Sequence, residues 1–304
     1  MNPFWLAAPA ALLTALTTLL FSAAADDPPK PLKPVNLDCN TKADEDDPHV
    51  SSSGAMLYYT SNAKKKIDLM ASKRASGKWA PGKSIEDAHG AYLKTAADDR
   101  GVFVTPDGNY PQFLYYATNV DETGKKGDNF DLYVTTRLAA NKEFDPPVAV
   151  SKVDTAEDEL QPWLTKDGKT LYFTRKTKKN GYRIFTATRK SASGGQGFDD
   201  PVLVEELPAD FHHATLTPDG KTMYLQGPLE KGRWGLFVST KGDKGWAAPE
   251  PLDLLNDASG PTGDRSPCLS RDGMMLYFAS DRDGGKGGLD LYSVPVADLK
   301  KKKE

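Results

Sequence analysis

The sequence predicts an all-β protein built from one repeated unit. Three observations lead there. A phrase reading acidic–x–x–Pro–x–apolar–Ser/Thr–x–Asp–Gly occurs five times, anchored at Gly54, Gly108, Gly168, Gly220 and Gly273 with spacings of 54, 60, 52 and 53 residues. Gly (26) and Pro (22) are abundant, as many tight turns require. Each copy carries alternating apolar and polar residues, the period of strands with one drier face. A fixed repeat of this length marks one supersecondary unit used over and over. The predicted architecture is a five-bladed β-propeller of four-stranded antiparallel blades.

The elements follow in order within each copy. Inner strands run into the Asp-Gly turn, as in Gln161-Pro-Trp-Leu-Thr-Lys-Asp-Gly168 and Ser266-Pro-Cys-Leu-Ser-Arg-Asp-Gly273. Asp-Gly supplies the left-handed backbone of a two-residue hairpin. Second strands follow: Met56–Thr60, Phe113–Ala117, Thr170–Thr174, Thr222–Gln226 and Met275–Ala279. Third strands centre on Ile67–Met70, Phe130–Tyr133, Tyr182–Phe185, Trp234–Phe237 and Leu289–Tyr292. Four copies then show an aromatic residue, a proline and an apolar strand, at Trp79–Ile85, Phe144–Val150, Phe198–Val204 and Trp246–Leu254. The fifth copy lacks this piece, but Leu32-Lys-Pro34-Val-Asn-Leu37 matches Pro249-Glu-Pro251-Leu-Asp-Leu254. The N-terminal strand is therefore expected to complete the last blade and hide its edge.

The flanks divide accordingly. Residues 1–25 are uncharged from Phe4 to Ala25 and end in small residues before Asp26. They read as a secretory signal peptide, although no Lys or Arg precedes the apolar run. Residues 26–31 form a Pro-rich linker, 32–299 the propeller and 300–304 a charged tail. The expected location is periplasmic or secreted, with no membrane association after signal cleavage. A net charge of −3 gives no reason to expect nucleic acid as a partner. A monomer is expected.

The phrases Thr217-Pro-Asp-Gly-Lys-Thr-Met-Tyr and Asp281-Arg-Asp-Gly-Gly-Lys-Gly-Gly-Leu-Asp-Leu-Tyr resemble the TolB-like propeller repeat, a WD-repeat-like module of bacterial envelope proteins. The resemblance covers nearly the whole chain after residue 25. It implies an exported propeller that binds a protein or glycan partner of the cell envelope. The alternative is a propeller-fold polysaccharide lyase or glycoside hydrolase working at the channel mouth, and whether the chain is an enzyme stays open.

Site candidates are sought where the phrase is broken, because a residue present in every blade serves the blade. Asp44/Glu45, Asp98/Asp99, Asp158/Glu159, Asp210 and Asp264 recur before each anchor glycine and read as loop-capping acceptors. Asp68, Asp131 and Asp290 recur in third strands and read as structural. The unrepeated residues are His212 and His213 at the start of the fourth inner strand, Arg100 and Arg265 after capping acids, and Trp163 in an inner-strand slot. The arginines could hold an anionic ligand, or pair with the acids beside them. Trp163 could stack a sugar ring or fill core. His49 and His89, with His212 and His213, could offer metal nitrogens, but their spacing is no known ligand motif. No cofactor is expected, a divalent metal being the lesser reading. The loop Asp281-Arg-Asp283-Gly-Gly lacks the ligands of a calcium loop and reads as a flexible hairpin. No catalytic triad, P-loop or dinucleotide glycine motif is present, and no catalytic residue is assigned. Cys39 and Cys268 are a disulfide candidate if the compartment is oxidising, although two strands and about 14 Å separate their expected positions.

Overall fold

A computed structural model describes residues 31–121, 123–257 and 259–299. The signal-peptide reading, most of the linker and the charged tail lie outside these residues. Among the described residues, no helix is long and apolar enough to cross a membrane.

The strands form five antiparallel sheets, each with a path of four strands, as the repeat count requires. The inner strands are Glu45–Val50, Asp99–Val104, Asp158–Leu164, His212–Leu216 and Asp264–Leu269. They are numbered here as blades one to five. Outer strands are two residues long: Lys83–Ser84, Val148–Ala149, Val202–Leu203 and Glu250–Pro251. In blade five this place is taken by Val35–Asn36, which pairs with Ser293 and Tyr292. Flanking bonds from Leu32 N to Leu254 O (2.8 Å) and from Leu37 N to Leu291 O (3.0 Å) seat the join. The ring thus closes through the N-terminal strand.

The core lies between blades rather than inside them. Five apolar clusters occur, and each draws its residues from two neighbouring blades. Alternation along the strands explains this, since each sheet presents one apolar face to each neighbour. The aromatic residue before each outer strand anchors the rim under a cation from the end of the third strand. Arg74 lies 5.4 Å from the Trp79 ring centroid, Arg137 4.8 Å from Phe144, Arg189 4.6 Å from Phe198 and Lys241 5.6 Å from Trp246.

The turn differs from the expected two-residue hairpin. Thr165 N bonds Thr170 O and Gly168 N bonds Thr165 O, which makes a four-residue loop around a β-turn. The Thr165 hydroxyl donates to Asp167 Oδ1 (2.6 Å), which also accepts Lys169 N (3.0 Å). Thr217–Asp219 and Ser270–Asp272 repeat the arrangement. The Ser/Thr-x-Asp-Gly part of the phrase is therefore a self-contained turn lock.

The repeated acids are structural. Asp44, Asp98, Asp158 and Asp210 each accept, at 3.0–3.1 Å, a backbone N–H from the third strand of the preceding blade. Blade five carries Gly263 in that slot, and a backbone bridge from Trp234 to Gly263 replaces the clip. The second acids cap loops: Glu45 accepts from Thr41, Glu159 from Thr155, and Asp264 from Asp257 N. The loop at Asp281 is not a free hairpin. Asp281 accepts the N–H groups of Thr262 (2.6 Å) and Gly263 (2.9 Å), and Arg282 pairs with buried Asp264 at 2.6 Å.

Candidate functional site

Every inner strand is broken by a β-bulge at one position, and the bulges form the lining of the channel. The register shifts at Asp46/His49, Arg100/Phe103, Leu160/Trp163, His212/Thr215 and Arg265/Cys268. At each bulge one residue takes left-handed backbone geometry: Asp47 (φ 49°), Gly101 (53°), Gln161 (55°), His213 (56°) and Ser266 (55°). Four of the five are not glycine, so the ring stores strain of about 1–3 kcal/mol per residue. Bulges re-aim side chains, and they concentrate next to active sites.

The side chains placed there form one polar cluster across blades one, three, four and five. Asp46 Oδ2 accepts from Arg265 Nη2 at 2.6 Å, and Asp46 Oδ1 accepts Asp47 N at 2.8 Å. Ser266 Oγ donates to Asp47 Oδ1 at 3.2 Å. His213 Nδ1 lies 3.6 Å from the same oxygen, and His212 Nδ1 lies 3.3 Å from Gln161 Oε1. The His212 ring stacks on Tyr182 (centroids 4.2 Å apart, 14° between planes) and meets Trp234 edge-on at 5.1 Å. Four atoms of this cluster are buried and unbonded: Asp47 Oδ2, His212 Nε2, His213 Nδ1 and Arg265 Nε. Orphaned polar atoms concentrated in one place indicate a group that the site has yet to meet.

The two adjacent carboxyls are shifted in opposite directions. Burial would raise Asp46, but the Arg265 guanidinium, with the hydrogen bond from the Asp47 N–H, brings it below the ordinary range. Burial pushes Asp47 up to about 6, and the negative charge of Asp46 adds to the effect. Burial lowers His213 to about 3 and holds His212 well below its ordinary value, so both imidazoles are neutral. The His213–Asp47 approach is thus a contact of a neutral ring, not an ion pair.

The cluster faces two spaces. A cleft of about 180 Å³ opens at the end of the channel where the inner strands begin, lined by Asp44, Asp46, Asn62, Arg100 and Arg265. Below it, a mid-channel space of about 20 Å³ is lined by Asp47, Gln161, Trp163 and His213.

The structure therefore joins residues that the sequence left separate. Arg265 does not pair with neighbouring Asp264, which Arg282 occupies, but with Asp46 of the next blade. Arg100 does not pair with Asp99; it lies 5.8 Å from the Phe130 ring and lines the cleft. Trp163 stands between Phe103 (6.1 Å) and Tyr172 (6.3 Å), half-buried. The histidines do not form one ligand set. His49 Nε2 accepts Val104 N from the next blade (3.1 Å), and His89 packs between Tyr58 and Phe144. Cys39 and Cys268 are both buried, and both are free thiols. Among the described residues, one group brings three possible metal-ligand atoms within 4.8 Å, Asp131, Asp154 and Glu159 between blades two and three. Arg175 already binds its Glu159 at 2.6 Å.

Sequence reasoning passed over Asp46 and Asp47. They sit at the end of the run Asp44-Glu45-Asp46-Asp47, whose first two members belong to the repeat. Counting acids per blade would have found them, because no other blade carries four in succession.

No family model and no curated protein sequence matches the chain. Solved structures do. A thermostable family-43 glycoside hydrolase superposes with a TM-score of 0.57 at 13% identity, over 86% of this chain and 92% of its own. An α-L-arabinofuranosidase from Podospora anserina, solved with cellotriose, gives 0.56 at 12% identity over 87% and 94%. TolB from Acinetobacter baumannii gives 0.48 at 16% identity, over 83% of this chain and 54% of TolB. At these identities the likeness establishes the propeller fold alone. Of the TolB-like reading, the five-bladed propeller is what the sheet topology shows.

Proposed function

We propose that the chain is a glycan-processing propeller, with hydrolysis of a glycosidic bond at the cleft as its chemistry. The observation that carries the reading is the pair Asp46 and Asp47, adjacent carboxyls shifted in opposite directions, so that between about pH 4 and 6 Asp47 keeps a proton that Asp46 has released. Glycoside hydrolysis needs one carboxylic acid to protonate the leaving oxygen and one carboxylate to act as base or nucleophile. Asp46, on the cleft wall, supplies the carboxylate, and Asp47, which faces the mid-channel space just below it, supplies the acid. Arg100, Arg265 and Asn62 line a cleft of about 180 Å³, room for one sugar ring, with donors for hydroxyl oxygens. The fold likeness to an arabinofuranosidase and a family-43 hydrolase adds weight and suggests arabinose-bearing polysaccharides as the first substrates to try. With an exported chain, the substrate would be a glycan outside the cytoplasm.

The test is release of 4-nitrophenol from a panel of 4-nitrophenyl glycosides, and of reducing ends from arabinan and arabinoxylan. Wild type is compared with Asp46→Asn and Asp47→Asn. Turnover lost in both variants, with the fold intact by circular dichroism, supports the reading. No turnover above the Asp46→Asn background on any substrate sinks it. Saturable oligosaccharide binding without turnover would return the chain to the binding-module alternative.

A further inference from the structure

The residue just before each bulge forms a ring of its own, and that ring is not uniform. From blade one to blade five it reads Asp46, Arg100, Leu160, His212 and Arg265. Burial keeps His212 neutral. The ring therefore holds one carboxylate between two guanidiniums, because blades five and two both adjoin blade one. Arg265 takes that carboxylate, at 2.6 Å. Arg100 is left over.

The acids around Arg100 are engaged elsewhere. Asp46 also accepts Asp47 N at 2.8 Å, and Asp47 itself stays protonated up to about pH 6 through burial. Asp44 accepts Leu289 N (3.0 Å) and Asn62 Nδ2 (2.6 Å). Asp98 pairs with Lys126 at 2.6 Å, and Asp99 accepts the Thr95 hydroxyl at 2.7 Å. Among the described residues Arg100 makes no hydrogen bond and no ion pair. Its guanidinium lies 5.8 Å from the Phe130 ring, half-buried on the cleft wall. A guanidinium carries five N–H donors in a fixed fork that matches a carboxylate. A half-buried one without an anion has lost part of its water and gained no charge partner in exchange. Arg265 adds a buried, unbonded Nε on the same wall. Lys64 and Lys65 are exposed in the loop that follows the cleft residue Asn62, and that loop carries no acid.

We infer that the sugar held in the cleft is a uronic acid, its carboxylate bound by the fork of Arg100 through charge-assisted hydrogen bonds. The inference rests on the glycan reading of this cleft and names its substrate class. A cleft of about 180 Å³ has room for one sugar ring, so the carboxylate is on the ring that meets Asp46. A neutral pentose would leave Arg100 unpaired.

Calorimetric titration of the full chain with free galacturonate and glucuronate, against galactose and glucose, tests this apart from catalysis. Free sugars have no glycosidic bond to cut. The expected result is saturable binding of at least one uronate, at least about tenfold tighter than its neutral counterpart and weakened by salt. The two uronates differ only at C4, so the pair also tells which epimer the cleft accepts. Arg100→Gln should weaken uronate binding at least about tenfold and leave the neutral sugar unchanged. Arg100→Lys keeps the charge without the fork; its affinity should fall between the two, and it serves if Arg100→Gln misfolds. In turnover, 4-nitrophenyl uronides should exceed the matching neutral glycosides in kcat/KM, and Arg100→Gln should lower that ratio. Uronate binding with no turnover of any glycoside would sustain the inference and sink the hydrolysis. Turnover of neutral glycosides with no preference for uronates, unchanged affinity in both Arg100 variants, or no saturable binding overturns the inference.

Discussion

Two rings of polar residues surround the same channel, and they have different jobs. The outer ring is the repeated acids, Asp44, Asp98, Asp158 and Asp210 with Glu45, Glu159 and Asp264. Their oxygens meet backbone N–H groups, threonines or arginines. The inner ring is the bulge residues, which share a backbone shape but not an identity, and it carries unbonded buried atoms. The outer ring is acidic in every blade and bonded apart from Asp99 Oδ1; the inner is strained, varied and incomplete. Stability is therefore expected from the first and function from the second.

The largest contrast is in Asp47→Asn. Loss of a general acid should lower glycoside turnover about 10²–10⁴-fold. The same change should raise the melting temperature at neutral pH. The carboxyl of Asp47 is raised from 3.8 to about 6 by burial and the Asp46 charge. Below pH 4 both folded and unfolded chains hold the proton. Between about 4 and 6 the unfolded chain releases it first, so wild-type stability falls as pH rises through that window. Asparagine carries no such slope. Activity should decline above about pH 6, as the acid deprotonates. A flat pH–rate profile across 5 to 7, or a melting temperature that drops in Asp47→Asn at pH 7, would break the assignment.

Arg282→Ala reverses the pattern. It strands Asp264, a carboxylate with no exposed surface, and should cost about 3–5 kcal/mol by urea denaturation. Turnover per folded molecule should not change, because Arg282 reaches neither the cleft nor the bulges. A fall in turnover with unchanged stability would merge the two rings and end the distinction.

The third contrast lies inside the inner ring. Gly101 has φ 53°, and an added Cβ would approach Gln161 Cα to 3.0 Å. Gly101→Ala should cost about 1–3 kcal/mol. Gln161→Gly, at the same slot one blade on, should be nearly neutral. Relief of about 1 kcal/mol of left-handed strain offsets the lost contact to His212. Equal effects in the two variants would mean that the bulge is not strained.

The fold was legible because a repeat states its own period, and the missing fourth strand of blade five named its replacement at Leu32–Leu37. The clips were legible too, since Asp98 and Asp158 recur and repetition marks a shared task. The site was legible only in part. His212, His213, Arg100 and Arg265 broke the phrase and were visible, but their partners were not. Asp46 and Asp47 hid behind Asp44 and Glu45, and no local pattern says that Arg265 of blade five reaches Asp46 of blade one across the ring join. The bulge itself has no residue signature, because aspartate, glycine, glutamine, histidine and serine all occupy it. Pairings made by ring closure over more than two hundred residues of chain are set by topology, and local sequence does not encode them.

The smallest expected effect separates cations that look alike in sequence. Arg74 and Arg189 both cap the rim aromatic of their blades, at 5.4 Å from Trp79 and 4.6 Å from Phe198. Arg74 is exposed, so Arg74→Ala should lose only the cation–π contact, about 0.5–1 kcal/mol. Arg189 is 5% exposed and donates to Gly168 O at 2.7 Å and to the Tyr115 hydroxyl at 3.2 Å. Its removal takes the donor from Gly168 O and one of two bonds from the Tyr115 hydroxyl, which keeps Gly195 O, and should cost about 2–4 kcal/mol. The ratio matters more than either number. If chemical denaturation gives equal losses, the rim contact rather than the buried hydrogen bonds sets the cost. The outer structure would then be as uniform as its sequence, which leaves the channel as the one place where the blades differ.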